Sequence, residues 1–140
     1  MKFSLFVLLT AWCSSALANT PEISIPERDI ALIKAADFVE ITGTNDAGQP
    51  ENFTIHDYKA IRQFVQLLTS DHYIAAPKSL KPQFKSLSSY QVRLSAKGVP
   101  LLELKVIAES VLDIPNDPSY YMQADEYSDD NLMAPLLRLR

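Results

Sequence analysis

Two histidine–aspartate pairs are the first residues of this 140-residue chain whose types suggest chemistry: His56-Asp57 and Asp71-His72. An imidazole beside a carboxylate is the raw material of an acid–base dyad or of a metal site. Their spacing argues against a joint role. The stretch between them has helical periodicity, and about fifteen residues at about 1.5 Å each set the pairs roughly 20 Å apart. One metal ion cannot bridge that distance, so no metal site is expected. Asp57 then reads as a helix-start acid and His72 as a residue just past the helix end, both favourable with the helix dipole.

Serine chemistry fares no better. Ser79, Ser86, Ser88 and Ser89 stand in neither a G-x-S-x-G nor an S-x-x-K setting, and Ser86-Leu87-Ser88-Ser89 reads as a polar approach to a strand. Gly43, Gly48 and Gly98 are isolated, so no glycine-rich phosphate loop is formed and no cofactor is expected. Carboxylates gather in Asp125, Glu126, Asp129 and Asp130, with Asp113 and Asp117 upstream, but without the alternating spacing and bend glycine of a calcium loop. A solvated acidic loop before a helix is the simpler reading.

Binding residues are easier to place than catalytic ones. The stretch from Ser70 to Leu87 holds Tyr73, Pro77, Pro82 and Phe84, with Lys78, Lys81 and Lys85 spaced three and four apart. Connections of that length are uncommon in compact domains and often functional, which suggests a basic recognition loop with aromatic anchors. The plainer alternative is a crossover whose Leu80 and Phe84 plug the core, as a short helix with solvated lysines. At Tyr120-Tyr121 a strand turns one ring inward and the other outward. Tyr121 is taken as the exposed anchor, beside Tyr127, Asp125 and Glu126, because tyrosine is enriched at binding hot spots. Ordinary sheet tyrosines are the plainer reading there. The candidate partner-binding set is thus Tyr73, Lys78, Lys81, Lys85, Tyr121, Asp125, Glu126 and Tyr127.

The chain that positions these residues begins with an export address. Lys2 provides a positive start, Phe3 to Trp12 an apolar run, and Ala16-Leu17-Ala18 a small-x-small signal ahead of Asn19. This is the pattern of a secretory signal peptide over residues 1–18, cleaved after Ala18. Its run of about ten apolar residues is half of the roughly twenty needed to span a bilayer. The compact leader points to a periplasmic or secreted protein. Cys13 raises the alternative of a lipoprotein, but Trp12 stands where lipid attachment wants a small residue. The sequon Asn52-Phe53-Thr54 matters only in a eukaryotic secretory pathway, which the bacterial-looking leader does not favour.

Cleavage removes the chain's only Cys and only Trp, leaving a cysteine-free domain that relies on packing. Taking Lys2 from the 13 basic residues, against 17 acidic, gives the mature chain a formal charge of −5. That balance is poorly suited to neutralising nucleic-acid phosphates. No later stretch approaches membrane-spanning length, so no integral membrane segment is expected after cleavage.

Residues 19–36 read as an extended lead-in, with Pro21, Pro26 and alternating Ile23 and Ile25 able to add an edge strand; Arg28 to Ala36 is ambiguous between helix and strand. Residues 37–140 read as a single domain. Phe38 to Thr42 and Asn52 to Ile55 predict a hairpin around the turn formers of Gly43 to Gly48. Tyr58, Ile61, Phe64, Val65 and Leu68 form an apolar helical stripe ending near Thr69, with Lys59, Arg62, Gln63 and Gln66 opposite. Tyr90 to Ser95 and Leu101 to Ile107 alternate as strands. Setting Leu94 against Leu102 and Val92 against Leu104 keeps the apolar side chains together and places Arg93 opposite Glu103, implying an odd-numbered loop around Gly98. Val111 to Ile114 and Ser119 to Gln123 extend the meander across the turn Pro115 to Pro118. A short closing helix over Leu132 to Leu139 is interrupted by Pro135.

The expected fold is therefore α+β: an antiparallel sheet, a meander of short strands, with one main amphipathic helix packed on one face. The expected function is a small exported, non-catalytic protein-binding module of inhibitor or immunity type. Two other classes stand beside it. One is an envelope-acting hydrolase using His72 or His56 with nearby carboxylates; the other is a self-associating structural module with an exposed sheet edge.

Overall fold

The computed structural model describes residues 22–45, 47–70, 72–76, 81–84, 87–108, 110–115, 117, 120–124 and 131–139. The leader 1–18 lies outside them. Among the described residues the order is β1 (Glu22–Ile23), α1 (Glu27–Ala35), β2 (Phe38–Thr44), β3 (Pro50–Ile55), α2 (Tyr58–Ser70), β4 (Tyr73–Ala75), α3 (Lys81–Phe84), β5 (Ser89–Ala96), β6 (Val99–Ile107), β7 (Val111–Asp113), β8 (Tyr120–Gln123) and α4 (Ala134–Leu137). The strands form one sheet in the order β1-β4-β8-β7-β6-β5-β2-β3, antiparallel throughout. The fold is α+β. Among the described residues no helix is long and apolar enough to cross a membrane.

The meander β5 to β8 follows from local alternation. In β5 and β6, Leu94 faces Leu102, Val92 faces Leu104 and Arg93 faces Glu103. The guanidinium of Arg93 donates from Nε to Glu103 at 3.1 Å and lies 3.7 Å from Glu40 of β2, a charged row across the open face. The connecting loop differs from the odd number expected. Ala96 pairs with Val99 and Ser95 with Pro100, leaving the two-residue turn Lys97-Gly98 and one extra residue, Leu101, as a bulge. Lys97 and Gly98 both have positive φ, 52° and 79°. That pair of conformations twists with the strands, so the odd residue moves from the turn into the ladder. The Lys97 amide donates to the Asp37 carboxylate, which ties the turn to the start of β2.

Residues Val39, Ile41, Ile55, Tyr90, Val92, Leu94, Leu104, Val106 and Leu112 are buried on one face, against Ile33 of α1, Ile61, Phe64, Val65 and Leu68 of α2, and Leu136 of α4. Burying such side chains contributes about 1.5–3 kcal/mol each, which is what holds the helices on the sheet. The helical layer is richer than one main helix. Residues 27–35, expected within an extended lead-in, form α1, because Ile33 and Ala36 reach the core only if the chain coils. The preceding Glu22–Ile23 does pair as an edge strand, with β4.

In α2 the Asp57 carboxylate accepts the Ala60 amide at 2.9 Å, capping the helix. Its buried stripe includes Ala60, whereas Tyr58 is 70% exposed and lies under the Arg62 guanidinium, 5.4 Å from the ring centroid. Arg62 is not purely a solvent-face residue. Its Nη1 donates to the Lys34 carbonyl at 2.7 Å and its Nη2 to that of Ala36, capping the last turn of α1. Pro135 opens α4 rather than interrupting it, since the first turn needs no amide there.

The opposite face of the sheet is divided. Over β2, β3, β5 and the middle of β6 it is polar and open. Toward β4 and β8 it bears a second apolar cluster, Ile74, Ile107, Ala108, Val111 and Met122, capped by Phe84 of α3. The Phe84 ring lies 5.4 Å from that of Tyr120. Phe84, in the long connection after α2, thus plugs an apolar surface, whereas Leu80, expected to plug the core with it, lies outside the described residues.

Candidate functional site

Of the sequence candidates, the structure describes the side chains of Tyr73 and Tyr121. Tyr73 is 2% exposed and its hydroxyl donates to the Leu68 carbonyl at 2.7 Å, so it closes the end of α2 instead of anchoring a partner. Tyr121 is 4% exposed and meets Tyr73 edge-on, with centroids 6.1 Å apart. The outward ring of the pair is Tyr120, because the register turns Tyr121 toward Leu112 and the helical layer. The exposed-anchor role given to Tyr73 and Tyr121 is therefore corrected. Lys81 opens α3. Lys78, Lys85, Asp125, Glu126 and Tyr127 lie outside the described residues.

Tyr121 sits in an acidic pocket within the core. Its hydroxyl donates to the Asp117 carboxylate. Burial, that bond and the nearby charges of Asp117 and Asp29 push its phenol well above the ordinary range for tyrosine. Asp29 is itself 4% exposed and 3.7 Å from Arg28 Nε. This arrangement ties β8 to Asp117 in the loop before it. A phenol held protonated so firmly is a poor general base.

The histidines stay apart. His56 precedes α2 and packs its ring 4.7 Å from that of Phe38, whereas His72 follows α2 with Nδ1 3.3 Å from the Glu22 carboxylate. Among the described residues no cluster of three or more His, Cys, Asp or Glu is arranged to hold a metal.

Polar groups do converge between α2 and α4. A cleft of about 440 Å³ is lined by Gln63, Gln66, Leu67 and Ser70 of α2, and by Asn131, Ala134, Pro135 and Arg138 around α4. Helical periodicity explains the α2 side: Gln63, Gln66 and Ser70 recur at three and four residues, opposite the buried stripe. The α4 side is fixed by Leu132, Met133 and Leu136, fully buried against α2 and the sheet. Leu67, Ala134 and Pro135 supply an apolar floor, and amides, a hydroxyl and one guanidinium supply the rim.

Gln63 and Gln66 were legible only as members of a polar helix face. Asn131 and Arg138 had no sequence signal at all, since only tertiary packing brings them to α2. Ser70 and Asn131 nonetheless border, in sequence, the two segments singled out there. Comparison with protein-family models, with curated proteins and with solved structures finds no match to this chain.

Proposed function

We propose that this is an exported, non-catalytic binding module, periplasmic after cleavage of residues 1–18, whose partner is another protein. The observation that carries the reading is the α2–α4 cleft, in which hydrogen-bonding side chains surround an apolar floor. Glutamine, asparagine and serine both donate and accept, which matches the alternating N–H and C=O groups of a protein segment. Leu67 and Ala134 are partly exposed and offer contact area without charge, as the centre of a protein interface requires. The rigid sheet behind α2 and α4 holds the two walls in place before the partner arrives, which lowers the ordering cost of binding.

The test is site-specific cross-linking in the cells that make the protein. A photo-reactive residue is placed at Gln66, in the cleft, or at Gln91, exposed on the opposite face of the sheet. The reading expects one discrete protein adduct from Gln66 and none from Gln91. No adduct at Gln66, or the same products from both positions, overturns it. A His56→Ala, His72→Ala double variant is expected to leave the adduct unchanged, whereas its loss would favour the hydrolase reading.

A further inference from the structure

We infer that the cleft between α2 and α4 recognises a carboxylate, an aspartate or glutamate side chain of the partner protein, with Arg138 as the charged anchor. The inference rests on the protein-binding reading for the source of the acid, but on side-chain bonding for its chemistry. Among the described residues, the cleft lining holds one cation and no carboxylate, in a chain whose formal charge is −4. An incoming acid therefore meets a cation in that lining.

The bonds already made inside the cleft leave donors in excess. Arg138 donates from Nε to the Ala134 carbonyl at 3.3 Å, which ties the guanidinium to α4 and leaves the N–H groups of Nη1 and Nη2 for a ligand. Such a planar fork matches the two oxygens of a carboxylate. Asn131 Oδ1 accepts the Met133 amide at 2.8 Å, so what remains of that side chain is its NH₂ donor. Gln63 and Gln66 add amides that can turn their NH₂ groups to an anion.

Among the described residues one feature of the site opposes an anion, the carbonyl end of α2. The Tyr73 hydroxyl already covers part of it, donating to the Leu68 carbonyl at 2.7 Å. The full charge of Arg138 is larger than the partial charge that remains.

The measurement is an NMR titration of the protein with two blocked tripeptides, acetyl-Ala-Glu-Ala-amide and its Gln analogue, at low salt. The acidic peptide is expected to shift the side-chain amide signals of Gln63, Gln66 and Asn131. The Gln peptide should bind about tenfold more weakly, as loss of a charge-assisted bond implies. Arg138→Gln, which leaves the remaining spectrum intact, should remove both that preference and the salt dependence. Equal binding of the two peptides, shifts confined to another face, or an unchanged preference in Arg138→Gln overturns the inference. The two readings fail separately. If the Gln66 cross-link persists at full yield in Arg138→Gln, the protein partner stands and the carboxylate anchor falls. If the acidic peptide binds through Arg138 while cross-linking captures nothing, the anion site stands and the protein partner falls.

Discussion

Replacing Tyr121 with Phe removes one hydroxyl from beside Asp117 and Asp29, and its effect should change with pH in a calculable way. At neutral pH the native phenol donates to the Asp117 carboxylate from a side chain that is 4% exposed. Losing a bond to a charged acceptor at a half-buried carboxylate should cost about 1–2 kcal/mol. At high pH the difference should shrink. Tyr121 ionises near pH 10 in the unfolded chain, whereas burial and the charges of Asp117 and Asp29 hold the folded phenol well above that. Below pH 10 both states keep the proton, and the contribution is complete. Above it the unfolded state releases a proton that the native state retains, so stability falls with rising pH, by about 1.4 kcal/mol at pH 11. Tyr121→Phe has no such proton and should escape this loss. Urea unfolding of both proteins, followed by circular dichroism from pH 7 to 11.5, should show the native advantage shrinking toward zero above pH 10. Parallel stability curves across that range would refute the placement of Tyr121 beside two carboxylates.

Other elements of the fold make sharper or smaller demands. Gly43→Ala puts a Cβ into the Ser89 carbonyl oxygen and 2.9 Å from Tyr90 Cα, so β2 must separate from β5; a loss above about 2 kcal/mol is expected in thermal and urea unfolding, and a neutral result would contradict the register. Phe84→Ala should cost about 3 kcal/mol and raise binding of a hydrophobic dye, because the cluster under α3 loses its cover. Asp57→Ala should lower stability by about 1 kcal/mol through loss of the α2 cap, and Asp57→Asn should restore most of it.

Strand register was legible because it depends on near neighbours. The alternation of Tyr90, Val92 and Leu94 with that of Leu102, Leu104 and Val106 puts both sets on one face in the observed pairing, and a slip by one residue would turn them outward. Asp57 was legible for the same reason, since a capping bond spans three residues. The bulge at Leu101 was not, because turn twist and ladder register are settled together and either can absorb the odd residue. Tyr58 and Ala60 exchanged roles because helical spacing defines a stripe only to within one neighbour, and Arg62 preferred the free carbonyls of α1 to solvent. The inward turn of Tyr121 follows from its pairing with Leu112, a relation that the dipeptide Tyr120-Tyr121 does not contain.

By itself, then, the sequence determined the antiparallel meander, the α2 helix and its cap, and the lack of any local catalytic motif, all from interactions spanning a few residues. Tertiary structure alone decided that α1 joins the core, that Phe84 seals the second face, and that Gln66 meets Arg138 across a cleft. Those contacts join residues dozens of positions apart, where burial in a shared core outweighs local preference.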